Sequence, residues 1–279
     1  MSNAIGGVIR SKTSTEGDWL REIASIRTGS SGENFRIKTD VNRTELRSAA
    51  FRAAVGLLQS ARDPEHLRTH VFRLLQVVDG TPLARSSFEA LALDSHHIKI
   101  AAERYQPAWP EAEQRRRMPP DSLGACLQRR FDAEGLNDLP PSSNQGGQSW
   151  QYLAERLRRT HDLHHLILGV PDSTAGEMVT ASFYACRYRN AGAVAVVGAW
   201  MTHGLLQPED HDLIWRALRF GITLAQDWHQ PLLAVRWEEN WERSVPAWRD
   251  LLGLTPFLES SPFPKERDAW LATSPIPAA

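Results

Sequence analysis

Hydrophobic residues recur at helical spacing along most of this chain, and the alternation that marks half-buried strands is scarce. The pattern predicts an all-α fold, a single helical bundle domain with flexible N- and C-terminal extensions. Leu46, Phe51, Val55, Leu57 and Leu58 share one broad apolar stripe. At Asp63-Pro64-Glu65 a new helix begins, with proline in its first turn and acids at the positive end of its dipole. It carries Leu67, Val71, Leu74, Leu75 and Val78 and stops near Gly80. A further Pro-initiated helix is expected from Met118-Pro119-Pro120-Asp121 through Leu123, Cys126, Leu127 and Phe131 to Gly135. The strongest helical signal runs over residues 150–168, where Gly169 and then Pro171 supply the stop in the usual order. Residues 213–228 and 245–252 follow the same period, the latter closing on Gly253.

The segments between these stripes set the domain limits. Residues 11–40 are rich in Ser, Thr, Gly and charge without a period, so residues 1–44 read as a mobile extension. The helical domain is expected over 45–257, interrupted by a polar loop at 140–147, and 258–279 read as a Pro/Ser-rich tail that packs little. No internal repeat is evident. The longest apolar run, residues 191–201, is well short of the ~20 residues a spanning helix needs, which leaves peripheral membrane contact as the expectation. The N-terminus mixes Arg10, Lys12, Arg21 and Arg27 with Glu16, Asp18 and Glu22 and shows no clear targeting peptide. A cytoplasmic location, peripheral on the inner face of a bacterial membrane, is expected.

Composition narrows the function classes. Among 279 residues, 32 Lys+Arg balance 33 Asp+Glu to a net charge of -1, so no global field draws the protein onto nucleic acid. Cys126 and Cys186 lie far apart without a CxxC, which removes a disulfide framework and a thiolate zinc knuckle and points to a reducing compartment.

The chemistry-bearing residues cluster on the 150–168 helix. Trp150, Leu153, Leu157, His161, His165 and Leu168 step by three or four, so the two imidazoles point where the leucines point. Asp162 can approach the same space from the flank of the helix. Counting eleven residues on from His165 reaches Glu177, and the break at Gly169, Val170 and Pro171 reverses the chain. With Thr174 capping a second helix, Glu177 in its first turn could face the histidines. A divalent cation would satisfy all four groups; Zn²⁺ is the first choice, with Fe²⁺, Mn²⁺, Co²⁺ and Mg²⁺ left open.

Plainer readings compete. His66 and His70 have the same spacing without an acid patterned like Asp162, and Thr174-Ala175-Gly176-Glu177 also reads as a capping box in which the Glu returns to its own helix end. The conjunction raises the metal reading to stand level with these, because burying two imidazoles and two acids unpaired costs several kcal/mol. A zincin would carry Glu directly after the first His, where Asp162 stands here. An HD-type phosphohydrolase needs further ligands on distant helices that cannot be placed. No Gly-x-Ser-x-Gly elbow, Walker loop or post-strand GxGxxG occurs.

The stretch from Leu157 to Pro171, with Arg158, His161-Asp162, His165, Gly169 and Pro171, continuing to Gly176-Glu177, resembles the signature of the coenzyme Q (ubiquinone) biosynthesis protein four family. Weaker similarity extends to Arg62-Asp63-Pro64-Glu65, Met118-Pro119-Pro120-Asp121, Trp237-Glu238-Glu239-Asn240-Trp241 and Arg249-Asp250-Leu251-Leu252-Gly253. The resemblance implies an all-helical protein whose metal is held by His161, Asp162, His165 and Glu177. It implies loss of the C1 carboxylate, with C1 hydroxylation, from a polyprenylated hydroxybenzoate, among other quinone-biosynthesis enzymes at a membrane surface. Asp162 and Arg158 are the candidate catalytic groups, Arg158 by gripping the ring carboxylate. Tyr184, Trp200 and Trp215 are candidates to line a prenyl tunnel, with core packing the weightier role. A non-catalytic scaffold or polyprenyl-lipid carrier is the alternative, and a homo-oligomer is compatible with either. Departures from the family pattern include the extensions, His164, His203 and the polar insert around Gly146.

Overall fold

In a computed structural model of the chain, the described residues are 81–138 and 147–271, with scattered helical positions between 44 and 78. The expected extension at 1–44 apart from Thr44, most of the two helices expected before Gly80 and nearly all of the 140–147 loop lie outside them. The described residues are all-α: ten helices, three short 3-10 turns and no strand, with a single isolated bridge between Ser122 and Ser244. In chain order the helices are α1 (Pro82–Ala92), α2 (Ile98–Glu103), α3 (Ala112–Arg116), α4 (Leu123–Glu134), α5 (Ser149–Leu168), α6 (Thr174–Arg187), α7 (Ala191–Leu206), α8 (His211–Asp227), α9 (Val245–Leu251) and α10 (Thr255–Leu258).

Helix α4 starts later than its prolines suggest. Pro119 and Pro120 form the turn before it, and Ser122 is the cap, its Oγ accepting the Ala125 N–H at 3.2 Å. A serine hydroxyl can satisfy an orphan amide of the first turn, which a proline ring cannot. The chain around Ser244 completes this end: Leu123 and Gly124 donate to the Arg243 and Trp241 carbonyls at 2.9 and 3.0 Å.

Helix α5 is the axis of the molecule. Its 20 residues span about 30 Å at 1.5 Å per residue. It opens on a reciprocal box between Gln148 and Gln151 and closes on Gly169, whose φ of 65° is the left-handed conformation glycine adopts without strain. Arg249 of α9 finishes that end, donating to the Ile167 and Leu166 carbonyls at 2.9 and 3.1 Å. Buried Arg156 ties the middle of α5 to the segment after α8. It donates to the Leu233 and Val235 carbonyls at 2.7 and 2.6 Å and pairs with Glu238 at 2.9 Å. Trp237 and Trp248 pack beside this clamp with ring centroids 5.0 Å apart, both fully buried.

Helices α6 and α8 approach closely because Gly221 has no side chain; a Cβ there would overlap Ser182 Oγ and the Val179 carbonyl. The tail packs more than its Pro/Ser content suggests. Leu258 and Phe263 are buried, Trp270 and Leu271 rest against the core, and Arg249 also holds the Arg267 carbonyl at 2.7 Å and Asp268 at 3.0 Å. Among the described residues no helix is long and apolar enough to cross a membrane.

Candidate metal centre

The turn between α5 and α6 builds the site. After Gly169 the Val170 N–H returns to the His165 carbonyl at 3.0 Å, which folds the chain back along α5. Ser173, not Thr174, is the cap of α6: its Oγ accepts the Gly176 N–H at 3.3 Å, and its carbonyl accepts the Glu177 N–H at 2.8 Å. Thr174 is the first helical residue. The shift by one position removes Glu177 from the capping-box role, and its carboxylate turns toward α5 instead.

There it meets both histidines. Nε2 of His161 lies 3.4 Å from Oε2 of Glu177, Nε2 of His165 lies 3.5 Å from Oε1, and the two Nε2 atoms are 3.1 Å apart. With Oε1 of Glu177 as the third corner, the edges are 3.5 Å to each Nε2 and 3.1 Å between them; a tetrahedral ion with bonds of about 2.0–2.1 Å separates its ligand atoms by roughly 3.3 Å, so this triangle matches one face of such a polyhedron. His165, Glu177 and His161 are the described residues whose ligand atoms converge within 4.8 Å. The donor set of two imidazoles and one carboxylate therefore fits the borderline-soft divalent metals.

Neighbouring groups orient the ligands. Nδ1 of His165 donates to the Pro171 carbonyl at 2.9 Å, which leaves its Nε2 lone pair facing the cluster. That carbonyl can sit there only because residue 176 is glycine; a Cβ on Gly176 would collide with the Pro171 oxygen. Thr180 Oγ1 lies 3.5 Å from both His165 Nε2 and Glu177 Oε2. The Tyr184 hydroxyl sits 2.7 Å from His164 Nδ1 and 3.4 Å from His161 Nδ1. His165 is fully buried, whereas His161 and Glu177 keep 32% and 25% exposure, so one side of the triangle is open.

Charge is balanced inside this group. Burial disfavours the Glu177 anion, but the two imidazoles outweigh it and hold its pKa well below the usual carboxylate value. Burial likewise opposes a charge on His161, and the Glu177 carboxylate, helped by Asp162, raises its pKa above the ordinary histidine value. His164, buried without an acid partner, is held well below that value.

The structure brings His161, His165 and Glu177 together and leaves Asp162 beside them. Asp162 is half-buried, its carboxylate lies outside the converging group, and its carbonyl accepts from Arg130 at 3.4 Å. Arg158 donates to Glu155 at 2.6 and 2.9 Å and is 37% exposed. Tyr184 and Trp200 are buried, whereas Trp215 is 45% exposed. Thr180 and the Pro171 carbonyl were not expected at the site. The i, i+3, i+7 series Glu177, Thr180, Tyr184 along α6 is the signal that carries Thr180, whereas no local pattern marks the Pro171 carbonyl.

Comparison with known proteins agrees with the family resemblance. Residues 110–257 match the family described as coenzyme Q (ubiquinone) biosynthesis protein Coq4. A mitochondrial ubiquinone biosynthesis protein COQ4 from Paracoccidioides brasiliensis (strain Pb18) is 28% identical over 150 residues, which cover 50% of this chain and 48% of the relative. The protein of the same description from Arthroderma otae (strain ATCC MYA-4605 / CBS 113480) is 28% identical over 148 residues, covering 50% and 52%. The chain thus spans about half the length of the curated relatives it matches. A crystal structure of a Nostoc punctiforme PCC 73102 protein, provisionally described as a ubiquinone biosynthesis protein, shares the fold. Its TM-score is 0.59 at 22% identity, covering 72% of this chain and 96% of that one.

Proposed function

The chain belongs to the Coq4 family of coenzyme Q (ubiquinone) biosynthesis proteins, and on that premise we propose that it is a metal-dependent enzyme acting on a polyprenylated hydroxybenzoate. The reaction proposed is loss of the C1 carboxylate with hydroxylation at C1. The convergence of His161, His165 and Glu177 at 3.1–3.5 Å carries the reading. These residues would hold the metal, Zn²⁺ first. A bound divalent cation supplies Lewis-acid stabilisation to an anionic oxygen on the ring or its carboxylate.

The remaining chemistry falls to the chain's own groups. On this reading the ring would enter from the side on which His161 and Glu177 are partly exposed, with fully buried His165 at the base of the site. Arg158 is three residues before His161 and already receives one carboxylate, that of Glu155, through two N–H donors; the substrate carboxylate takes that place. Asp162, outside the ligand triangle, is the acid that handles a proton at the ring. Exchanging carboxyl for hydroxyl takes one oxygen atom from water, releases CO₂ and removes two electrons, which molecular oxygen accepts together with two protons to leave as hydrogen peroxide.

Elemental analysis of the purified full chain, paired with turnover of a short-prenyl hydroxybenzoate, tests this. About one equivalent of a transition metal and CO₂ release that is lost in Glu177→Ala are expected; a metal-free protein, or full turnover by that variant, refutes it. A carrier reading has its own support, since Val194 and Leu206 of α7 and Trp215 of α8 are apolar and exposed at 58%, 44% and 45%. On that reading the protein contacts a membrane peripherally and presents a prenyl lipid to other quinone-biosynthesis enzymes. Prenyl-lipid binding by a protein with no measurable turnover would favour it.

A further inference from the structure

His165 and His161 are oriented by different devices. The ring of His165 is fixed by a backbone carbonyl, that of Pro171, at 2.9 Å. Nδ1 of His161 faces a side chain, the Tyr184 hydroxyl, at 3.4 Å, and that hydroxyl contacts His164 Nδ1 at 2.7 Å on its other side. Tyr184 has little freedom to do anything else. Its ring is buried, stacked on Tyr188 at 5.8 Å and 14°, and set edge-on against Phe183 at 5.9 Å.

A phenol carries one proton, so it can donate to one imidazole and accept from the other. Two settings of the relay are available, and both bind the same number of protons. In one, His164 Nδ1–H donates to the phenol, the phenol donates to His161 Nδ1, and His161 carries its proton on Nε2, aimed at His165 Nε2 across 3.1 Å. In the other, every proton moves one place: His161 Nδ1–H donates to the phenol and the phenol to His164 Nδ1. His161 Nε2 is then bare and His164 Nε2 protonated. Only the second setting presents two lone pairs to a cation.

We infer that Tyr184 is the positioning residue of the metal centre, its hydroxyl joining His161 to buried His164 so that the His161 ring is held as an Nε2 ligand. The assignment rests on the metal reading proposed above. It acts through His161 and needs no contact with substrate. Partners of this kind typically change metal affinity 10–100-fold when removed.

The experiment uses the full chain and Zn²⁺ in competition with a chromogenic chelator, with thermal unfolding and ¹⁵N NMR of the imidazoles as further readouts. Tyr184→Phe should unfold within a few degrees of wild type, bind Zn²⁺ about 10–100-fold more weakly and lose the Nδ1–H signature of His161. His164→Gln, which keeps an acceptor for the phenol, should retain more affinity than His164→Leu, and this pair decides the matter if Tyr184→Phe misfolds. Wild-type affinity in Tyr184→Phe, or equal affinities in the two His164 variants, overturns the role of Tyr184 alone. Failure of the wild type to bind Zn²⁺ overturns the metal reading itself.

Discussion

Replacing Gly176 by alanine tests the whole chain of support behind His165 with a single methyl group. The added Cβ would occupy the space of the Pro171 carbonyl oxygen, a backbone atom that cannot rotate aside as a flexible side chain would. Either the carbonyl or the first turn of α6 must shift by roughly 1 Å or more to restore ordinary contact, an overpacking strain of about 1–3 kcal/mol. The same carbonyl accepts the His165 Nδ1–H at 2.9 Å, and a displacement of that size breaks the bond. A fully buried N–H then loses its partner, costing about 1–3 kcal/mol more, and the ring loses the contact that fixes its direction. Gly176→Ala should therefore melt several degrees lower and bind Zn²⁺ about 10–100-fold more weakly in a chelator competition. Wild-type affinity in a folded Gly176→Ala protein would show that the Pro171 contact does not orient His165.

Other outcomes follow from the same contacts. Glu238→Ala leaves the Arg156 guanidinium charged and buried, and should cost about 3–5 kcal/mol in urea unfolding; a loss under 1 kcal/mol would show that the clamp contributes little. His97 is buried against Asp94 at 2.7 Å; burial lowers its pKa in spite of the acid, while Arg187 and His96 add like charge and Tyr188 meets its ring edge-on. A histidine with a lowered folded pKa binds fewer protons folded than unfolded, so its stabilising effect is complete above about pH 6.5 and declines as the pH falls toward the folded value. Asp94, itself lowered, adds a loss at still lower pH. Unfolding midpoints should fall between pH 7 and 5 more in wild type than in His97→Gln, and parallel curves would refute this. Stripping the metal with a chelator should lower the melting temperature by an amount that disappears in Glu177→Ala, since a ligand held at 100 times its Kd stabilises by about 2.7 kcal/mol; an equal drop in both proteins would place the effect elsewhere.

How much of this was legible depended on whether the signal was local. Helix α5 was readable because its stripe, its glycine stop and its proline sit in one stretch, and the histidines fell where 3.6-residue geometry put them. Asp162 shows the limit of sequence adjacency. One residue along a helix is a rotation of about 100°, enough to take its carboxylate out of the triangle. The cap of α6 was displaced by one position because Ser173 and Thr174 carry the same hydroxyl chemistry; only the backbone distinguishes them. Helix α7 gave no phase, since an evenly apolar run has no polar face to contrast with. Nothing in the sequence singles out Arg156, because its partners lie 77–82 residues away and no local pattern announces them. The tail misled through composition: Pro and Ser suggested solvent, but Phe263 enters the core and the backbone near Arg267 meets Arg249.

That last contact bears on how the protein can be cut. The family match ends at residue 257, an inviting boundary for a shortened version. Yet Arg249 divides its donors between the carbonyls that close α5 and the strand of tail at Arg267 and Asp268, so trimming there strips the guanidinium of half its anchorage at the helix end that bears His165. The last segment works as a buckle for the site-bearing helix, and a minimal fragment should keep it fastened.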